Sequence, residues 1–577
     1  MEAEEDEQMG HNKSEPHLMS LDNFRTGEPS RCLTGEGRRE ETGQQPVIPQ
    51  RSGGVGVDGT SASSTKESWE ISGGGCKTQP NAQAGQASQA GGVTGEVGVP
   101  HSDVEVEVLD AYFSGKFSAK AGRGDTCSMR GGEAKATGMA GTTRIGTPNK
   151  VRQLQITLYR KAKAEPKYRF WSLYGELCRR DVLDTALEAQ RRNGGQAGVD
   201  GESLGSIHVS AAAREQWLDR LQEELKTKTY RPSPVLRVMI PKSGGVGERP
   251  LGIPTVKDRV VETALCLVLM PIFEADFHPC SYGFRPKRRA HQAIEEIQKA
   301  VQQGYVEIID ADLSKYFDTI PHRELMKAVA RRVSDGSVLG LIRSWLRAPI
   351  VEEDKDGTRR VTPNRRGTPQ GGVISPLLAN LYLNPLDHGV NDNTSSQARM
   401  VRYADDFVIA CPVGRGGGMM ERLKKWLKAK GLTLNEVKTR LVNIHQEGIH
   451  FLGFTLTWRK SFRGRGYLHV EPSQKSRRTL REKLGGILNH WTHWRPIKEV
   501  VEEVNEVLRG WAGYFHYGNS VSVMNRMKHY SQNRFRRWLW RKHGCCRSLW
   551  EHYASEQLHQ RHGLYELPTT AKWKAAR

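Results

Sequence analysis

The run Val401-Arg402-Tyr403-Ala404-Asp405-Asp406-Phe407-Val408-Ile409 constrains this chain more than any other. Two adjacent carboxylates among β-prone apolar residues cannot both be buried without a counter-charge, because an unpaired buried charge is far too costly. The run therefore reads as two strands joined at the acids, with a cation beside them. A pair of divalent metal ions meets that demand: hard cations such as Mg²⁺ take carboxylate oxygens and leave positions open for phosphate oxygens. An exposed hairpin turn is the plainer alternative, for which Asp-Asp is ordinary chemistry.

A further ligand has to come from elsewhere. Val306-Glu307-Ile308-Ile309-Asp310-Ala311-Asp312 reads as an apolar strand ending in acids, and Asp312 is the best placed to join Asp405 and Asp406. We expect strand alternation to point Asp310 and Asp318 elsewhere, into hydrogen-bonding roles.

Charge narrows the partner. The 577 residues carry 86 Lys and Arg against 65 Asp and Glu, a net charge of +21, which favours a polyanion such as nucleic acid. No apolar run approaches the roughly 18 residues of a membrane span, the longest around Ala264–Met270 being of helix-core length. The acidic start Met1-Glu2-Ala3-Glu4-Glu5-Asp6-Glu7 is unlike a signal peptide. Nine scattered cysteines without a Cys-x-x-Cys pair argue against a disulfide framework or a four-Cys zinc site. A cytoplasmic protein with reduced thiols and no membrane partner is expected.

Composition divides the chain. Residues 1–145, rich in Gly, Ser, Thr, Gln and charge, are expected to form a mostly disordered extension. Leu154, Leu158, Leu173, Leu177, Val182, Leu183 and Leu187 open a helical segment over 146–230. Short β-prone runs alternate with helices over 231–456; a segment over 457–550 follows, its pattern helical again after Pro472, and then a basic tail over 551–577. The fold class is α+β.

Several blocks punctuate the middle in order. Ile240–Pro254 is a glycine-bearing hairpin in which Lys242 and Arg249 can close on a triphosphate. Ser281-Tyr282-Gly283-Phe284-Arg285 precedes a helix, and Phe317 follows Asp312. Arg366-Gly367-Thr368-Pro369-Gln370-Gly371-Gly372 offers backbone that can approach a base pair closely. Gly431–Thr439 and Phe451-Leu452-Gly453-Phe454 close the series. Together, from about Gly198 to about Gly544, these blocks resemble the reverse transcriptases encoded by group II introns, also called intron maturases.

The resemblance implies a right-hand polymerase fold: fingers and palm of reverse transcriptase type, then an all-α thumb and maturase domain. It implies that Asp312, Asp405 and Asp406 hold two Mg²⁺ ions, Mn²⁺ being able to substitute, with the Leu313 carbonyl as a further ligand. Phe317 matches the aromatic gate against a ribose 2′-hydroxyl. Lys242 and Arg249 match contacts to the incoming triphosphate, and Gln370 and Gly371 the loop on nucleotide and template. The implied activity is RNA-directed DNA synthesis, joined to splicing and retrohoming primed at the target or by a nascent strand. The implied partners are intron RNA, an RNA template with DNA primer, dNTPs and a DNA target, a homodimer being left open.

From Glu471 to the end, 20 Lys and Arg face 9 acids and are interleaved with Trp491, Trp494, Trp511, Tyr514, Phe515, Tyr517, Trp538 and Trp540. Basic residues contact phosphates, while aromatics pack or stack on unpaired bases; most of these aromatics read as core. Leu508–Phe515 and Phe535–Leu539 resemble the maturase-specific domain of the same family. Arg477, Arg478, Arg481, Arg534, Arg536 and Arg537 are the candidate phosphate contacts. No paired-Cys motif follows residue 550, so no HNH endonuclease activity is expected. Two other readings stay open: a splicing factor or RNA chaperone without polymerase activity, and a domesticated relative in defence or repair, for example beside a CRISPR locus.

Overall fold

The computed structural model describes residues 149–241, 247–354, 356–393, 395, 397–544 and 553–570; the expected extension over 1–145, and Lys242, lie outside them. Helices Asn149–Ala164, Arg180–Asn193 and Ala211–Lys226 bury stripes that include Val151, Leu158, Val182, Leu183, Leu187, Leu218 and Leu221. The first two pack on Val256–Glu274, a helix apolar without interruption from Ala264 to Phe273 and buried almost throughout. Its N-cap, Thr255, accepts the amide of Asp258 at 3.1 Å.

Strands β1 (Val235–Pro241) and β2 (Glu248–Ile253) form a hairpin, and β1 also pairs in parallel with β4 (Ile350–Glu353), which pairs with β5 (Arg359–Thr362). A second sheet has the order β6-β7-β3-β8, where β3 is Glu307–Ala311, β6 is Arg399–Tyr403, β7 is Asp406–Cys411 and β8 is Arg440–Asn443. All its pairs are antiparallel.

Period-two alternation assigns the residues of this sheet to two different cores. Ile309, Ala311, Met400, Phe407, Ile409 and Cys411 join the core of the amino-terminal helices. Ile308, Val401, Val408, Ala410 and Val442 join a second core with helix Ala290–Gln302 and helices Gln474–Ile487, Ile497–Phe515 and Val521–His543. Both faces are covered, so these strands read as nearly continuous apolar runs.

Two boundaries differ from expectation. β9 (Ile449–Phe451), β10 (Phe454–Lys460) and β11 (Gly466–Pro472) form a third sheet, and the expected break after 456 falls inside β10. The reason is alternation, since Phe454, Leu456, Leu468 and Val470 are buried while their neighbours are mostly not. Helix resumes at Gln474, capped by Ser473, whose hydroxyl accepts the Ser476 amide. The expected basic tail is partly core, because Leu558, Leu564 and Leu567 pack into the second core. Asn505 fixes that segment by donating to the Gly563 carbonyl at 2.8 Å and accepting from the Tyr565 amide at 2.6 Å.

Ile409 has no solvent exposure in the central strand β7, whereas Val437 is almost wholly exposed. Ile409→Ala is expected to cost about 2–5 kcal/mol in urea denaturation, and Val437→Ala no more than about 0.5 kcal/mol.

Candidate active site

The β6–β7 hairpin pairs Tyr403 with Asp406, leaving Ala404 and Asp405 as its two-residue turn. Ala404 adopts φ +62°, a left-handed conformation that a non-glycine residue keeps only when its surroundings enforce it. The enforcement comes from Arg402, fully buried one residue before Tyr403. Its Nε and Nη2 donate to the two carboxylate oxygens of Asp387 at 2.7 and 2.5 Å, and its Nη1 to Asn380 Oδ1 at 2.8 Å and to the Ala404 carbonyl at 2.9 Å. Asn380 in turn donates to the Gly283 carbonyl at 2.7 Å.

The Ser281–Phe284 block closes over the same turn. Tyr282 N donates to the Arg402 carbonyl at 2.8 Å. A Cβ on Gly283 would stand 2.3 Å from the Ala404 amide, so only glycine fits there.

Register carries Asp312 to this turn. The last β3–β7 pair is Ala311 with Phe407, and one antiparallel step further sets Asp312 opposite Asp406, on the same face. The carboxylate of Asp312 accepts from Asn435 Nδ2 at 3.1 Å and from Lys438 Nζ at 3.0 Å. The Asp312 carbonyl accepts the Asn435 amide, and Leu313 bridges to Leu434, so the Gly431–Thr439 block braces the strand end.

Among the described residues no three His, Cys, Asp or Glu side chains are gathered closely enough to share one metal ion; Asp312 is drawn to Lys438 instead. The donors at hand are nevertheless hard oxygens, the type a divalent cation takes. The Lys438 ammonium shows that Asp312 already holds a cation, and as a part-exposed pair it is weakly retained.

Asp310 departs from expectation. It lies two residues from Asp312 and therefore on the same face, pairing with Arg440 at 3.7 Å. Burial raises its carboxyl above the usual range, against the opposing pull of Arg440. Asp318 accepts from Gln370 Nε2 at 3.4 Å, the expected hydrogen-bonding role.

The loop Arg366–Gly372 joins the turn after Phe317 to β2. Thr368 N donates to the Phe317 carbonyl at 2.7 Å, and Gly252 N to the Gln370 carbonyl at 2.5 Å. At Gly371, φ +121°, a Cβ would fall 2.0 Å from the Gly252 carbonyl oxygen, so β2 and this loop touch backbone to backbone. Phe317, Gln370, Gly371 and the strand of Arg249 are thereby brought together. Arg237, Gly252, Asp318, Arg366, Thr368 and Gln370 are among the residues lining an open cleft there.

Beneath the loop, Glu262 accepts the amides of Val373 at 2.5 Å and Ile374 at 3.2 Å. Burial, then the nearby Asp258, pushes its carboxyl up to about 8.

Residues 240–456 match the family model described as reverse transcriptase (RNA-dependent DNA polymerase), and residues 477–553 match the group II intron maturase-specific domain. The chain is 33% identical over 367 residues to protein YkfC of Escherichia coli K12, spanning 57% of this chain and 94% of that protein. It is 25% identical over 443 residues to the group II intron-encoded protein LtrA of Lactococcus lactis, spanning 62% of this chain and 72% of that one. A 91 kDa protein in the cob intron of Schizosaccharomyces pombe is 25% identical over 420 residues, 59% of this chain and 50% of that one.

The chain belongs to the group II intron-encoded reverse transcriptase family. It is an RNA-directed DNA polymerase with a maturase domain, an enzyme class that depends on divalent metal and works on nucleic acid. No helix among the described residues is long and apolar enough to cross a membrane.

In the maturase-domain helices of this reverse transcriptase the candidate phosphate contacts separate. Arg478, Arg481 and Arg537 are exposed; Arg478 pairs with Glu482 at 2.7 Å, and Arg481 lies over the Tyr530 ring. Arg477 is half-buried on Glu471 at 3.1 Å, and Arg534 is half-buried too. Arg536 is a correction. Its helical phase puts it in the core, where it donates to the Tyr553 carbonyl, Asn533 and Ser555 and has no face for phosphate.

The sequence reading missed Arg402, Asp387, Asn380 and Glu262. Arg402 carried a signal, a charge inside an apolar strand that demands a buried partner.

Asp387→Asn would leave the Arg402 guanidinium buried without its counter-charge. A loss of about 3–5 kcal/mol in denaturant titration is expected, with the double variant Arg402→Met/Asp387→Leu losing less than Asp387→Asn alone.

Proposed function

We propose that Asp312, Asp405 and Asp406, with the Leu313 carbonyl, hold two Mg²⁺ ions at which a DNA primer is extended on an RNA template. The observation that carries this reading is the β3–β7 register, whose continuation sets Asp312 against Asp406 beside the Asp405 turn. When bound, the ions lower the pKa of the primer 3′-hydroxyl and neutralise charge that builds on the triphosphate in the in-line transition state.

The protein's own groups bind and orient. Arg402 holds the Ala404 carbonyl and so limits how far the Asp405–Asp406 turn moves when the substrate arrives. Arg249, with Lys242, supplies positive charge to the triphosphate. Gln370 and Gly371 press backbone against the nucleotide and template, held at that height by β2. Phe317, half-buried and edge-on to Tyr316, is a stiff wall against a 2′-hydroxyl. Intron RNA is the partner we assign to the maturase domain, through Arg478, Arg481 and Arg537 foremost.

Incorporation of dNTPs on a primed RNA template tests the catalytic reading. Asp405→Ala is expected to lower kcat by about 10³-fold, the equivalent of several kcal/mol of transition-state charge stabilisation; an unchanged rate would remove Asp405 from the site. Phe317→Ala is expected to cut the preference for dNTP over rNTP by about 10- to 200-fold with the dNTP rate largely kept, read from competing kcat/KM values.

A further inference from the structure

The β10–β11 hairpin ends in Arg459-Lys460-Ser461-Phe462-Arg463-Gly464-Arg465, a tip that no part of the catalytic reading uses. It lies between the two matched regions, 240–456 and 477–553. No Asp or Glu occurs between Glu447 and Glu471. Arg459, Lys460, Arg463 and Arg465 are all exposed, and none of the four pairs with a carboxylate among the described residues. Phe462 between them is fully exposed.

This tip is built rather than loose. Ser461 N donates to the Arg465 carbonyl at 2.8 Å, Gly464 N to the Ser461 carbonyl at 2.9 Å, and Arg465 N to Ser461 Oγ at 3.1 Å. Gly464 takes the positive φ that the reversal requires. In the stem, Trp458 covers Gly466, where a Cβ would meet the indole at 2.2 Å, and the His445 ring lies against the same indole at 4.4 Å. The strand from Phe454 to Lys460 carries the tip about 20 Å from the base of the hairpin. At that base Tyr514 donates to the Leu452 carbonyl, and Tyr514 and Tyr403 of the β6–β7 hairpin both pack against the second core.

We propose that this tip grips single-stranded RNA, Phe462 stacking on an unpaired base while Arg459, Lys460, Arg463 and Arg465 meet the flanking phosphates. The inference rests on reading the chain as an enzyme that copies RNA. Four cations without carboxylate partners select a polyanion. An aromatic face presented wholly to solvent finds a base only where bases are unstacked, which excludes a regular duplex. Of the strands such an enzyme handles, new DNA is paired as soon as it is made, and the uncopied RNA is not.

Anisotropy titrations of the full chain test this with a labelled unstructured oligoribonucleotide, the same sequence as an RNA duplex, and its single-stranded DNA counterpart, each at several salt concentrations. Phe462→Ala is expected to weaken binding to single-stranded RNA by about 5- to 100-fold, with duplex binding and the salt slope unchanged. Arg463→Gln/Arg465→Gln is expected to lower the log–log salt slope by about 1.4, or about 0.7 for each phosphate no longer neutralised. Wild-type RNA affinity in Phe462→Ala, an equal loss on duplex, or a loss confined to DNA would overturn the proposal. Primer extension at saturating template separates this from the catalytic reading: Phe462→Ala keeps the wild-type rate, whereas a wild-type chain that binds RNA through Phe462 yet adds no dNTP fails as a polymerase only.

Discussion

A guanidinium sealed from water is tolerable only when its donors find acceptors, and Arg402 is placed so that all three of its nitrogens do. The acceptors come from two helical turns of one helix face, Asn380 and Asp387, and from the turn at Ala404. One side chain thus ties together the helix Ser375–Asn391, strand β6 and the Ala404–Asp405 turn, and through Asn380 the Gly283 loop as well. Such a pair is a weak source of net stability, because desolvating both charges cancels most of their attraction. Its consequence is geometric: an apolar substitute of equal volume would fill the space and leave the Ala404 carbonyl, and with it Asp405 and Asp406, without an anchor.

The central sheet separates two cores and belongs to both, which is how the anchor reaches the rest of the molecule. Residues of one parity in β3, β6 and β7 pack with the amino-terminal helices, and those of the other parity with helix Ala290–Gln302, the third sheet and the maturase-domain helices. Tyr514, on the helix Ile497–Phe515, donates to the Leu452 carbonyl at the turn of the third sheet, and it and Tyr403 both pack against the second core. The polymerase and maturase regions therefore share one apolar interior on that side. The buried stripe Val500, Val504 and Leu508 belongs to that interior.

What the sequence disclosed was whatever depends on near neighbours. The Tyr403–Asp406 turn, the acid-ended β3 and the apolar run within helix Val256–Glu274 are local patterns, and the structure holds them in those forms. The hairpin of β10 and β11 was cut by the expected break after 456 because Thr, His and Trp along it blur the period-two signal that Phe454, Leu456, Leu468 and Val470 carry, whereas the return to helix after Pro472 was legible. Asp310 was assigned to the wrong face although i and i+2 share one. Arg536 sits in an Arg-rich cluster whose composition gives no phase; only its register with Gln532, Phe535 and Leu539 turns it inward. Partners far apart in the chain, such as Asp387 for Arg402 or Glu262 for the Val373 and Ile374 amides, leave no local mark.

Charge balance around the strand ends follows one rule. Asp310 meets Arg440 directly across the β3–β8 ladder, Asp312 meets Lys438 just beyond it, and Asp387 meets Arg402. The three pairs differ in what holds them. Arg402 and Asp387 are wholly buried, so neither can leave without exposing the other to the low-dielectric interior. Lys438 is more than half exposed and is worth at most about 1 kcal/mol to Asp312, so a divalent ion can displace it at little cost. The carboxylate that sets geometry, Asp387, is thus locked by a buried cation, while the one proposed to exchange partners during catalysis, Asp312, is balanced by a cation that solvent can take back.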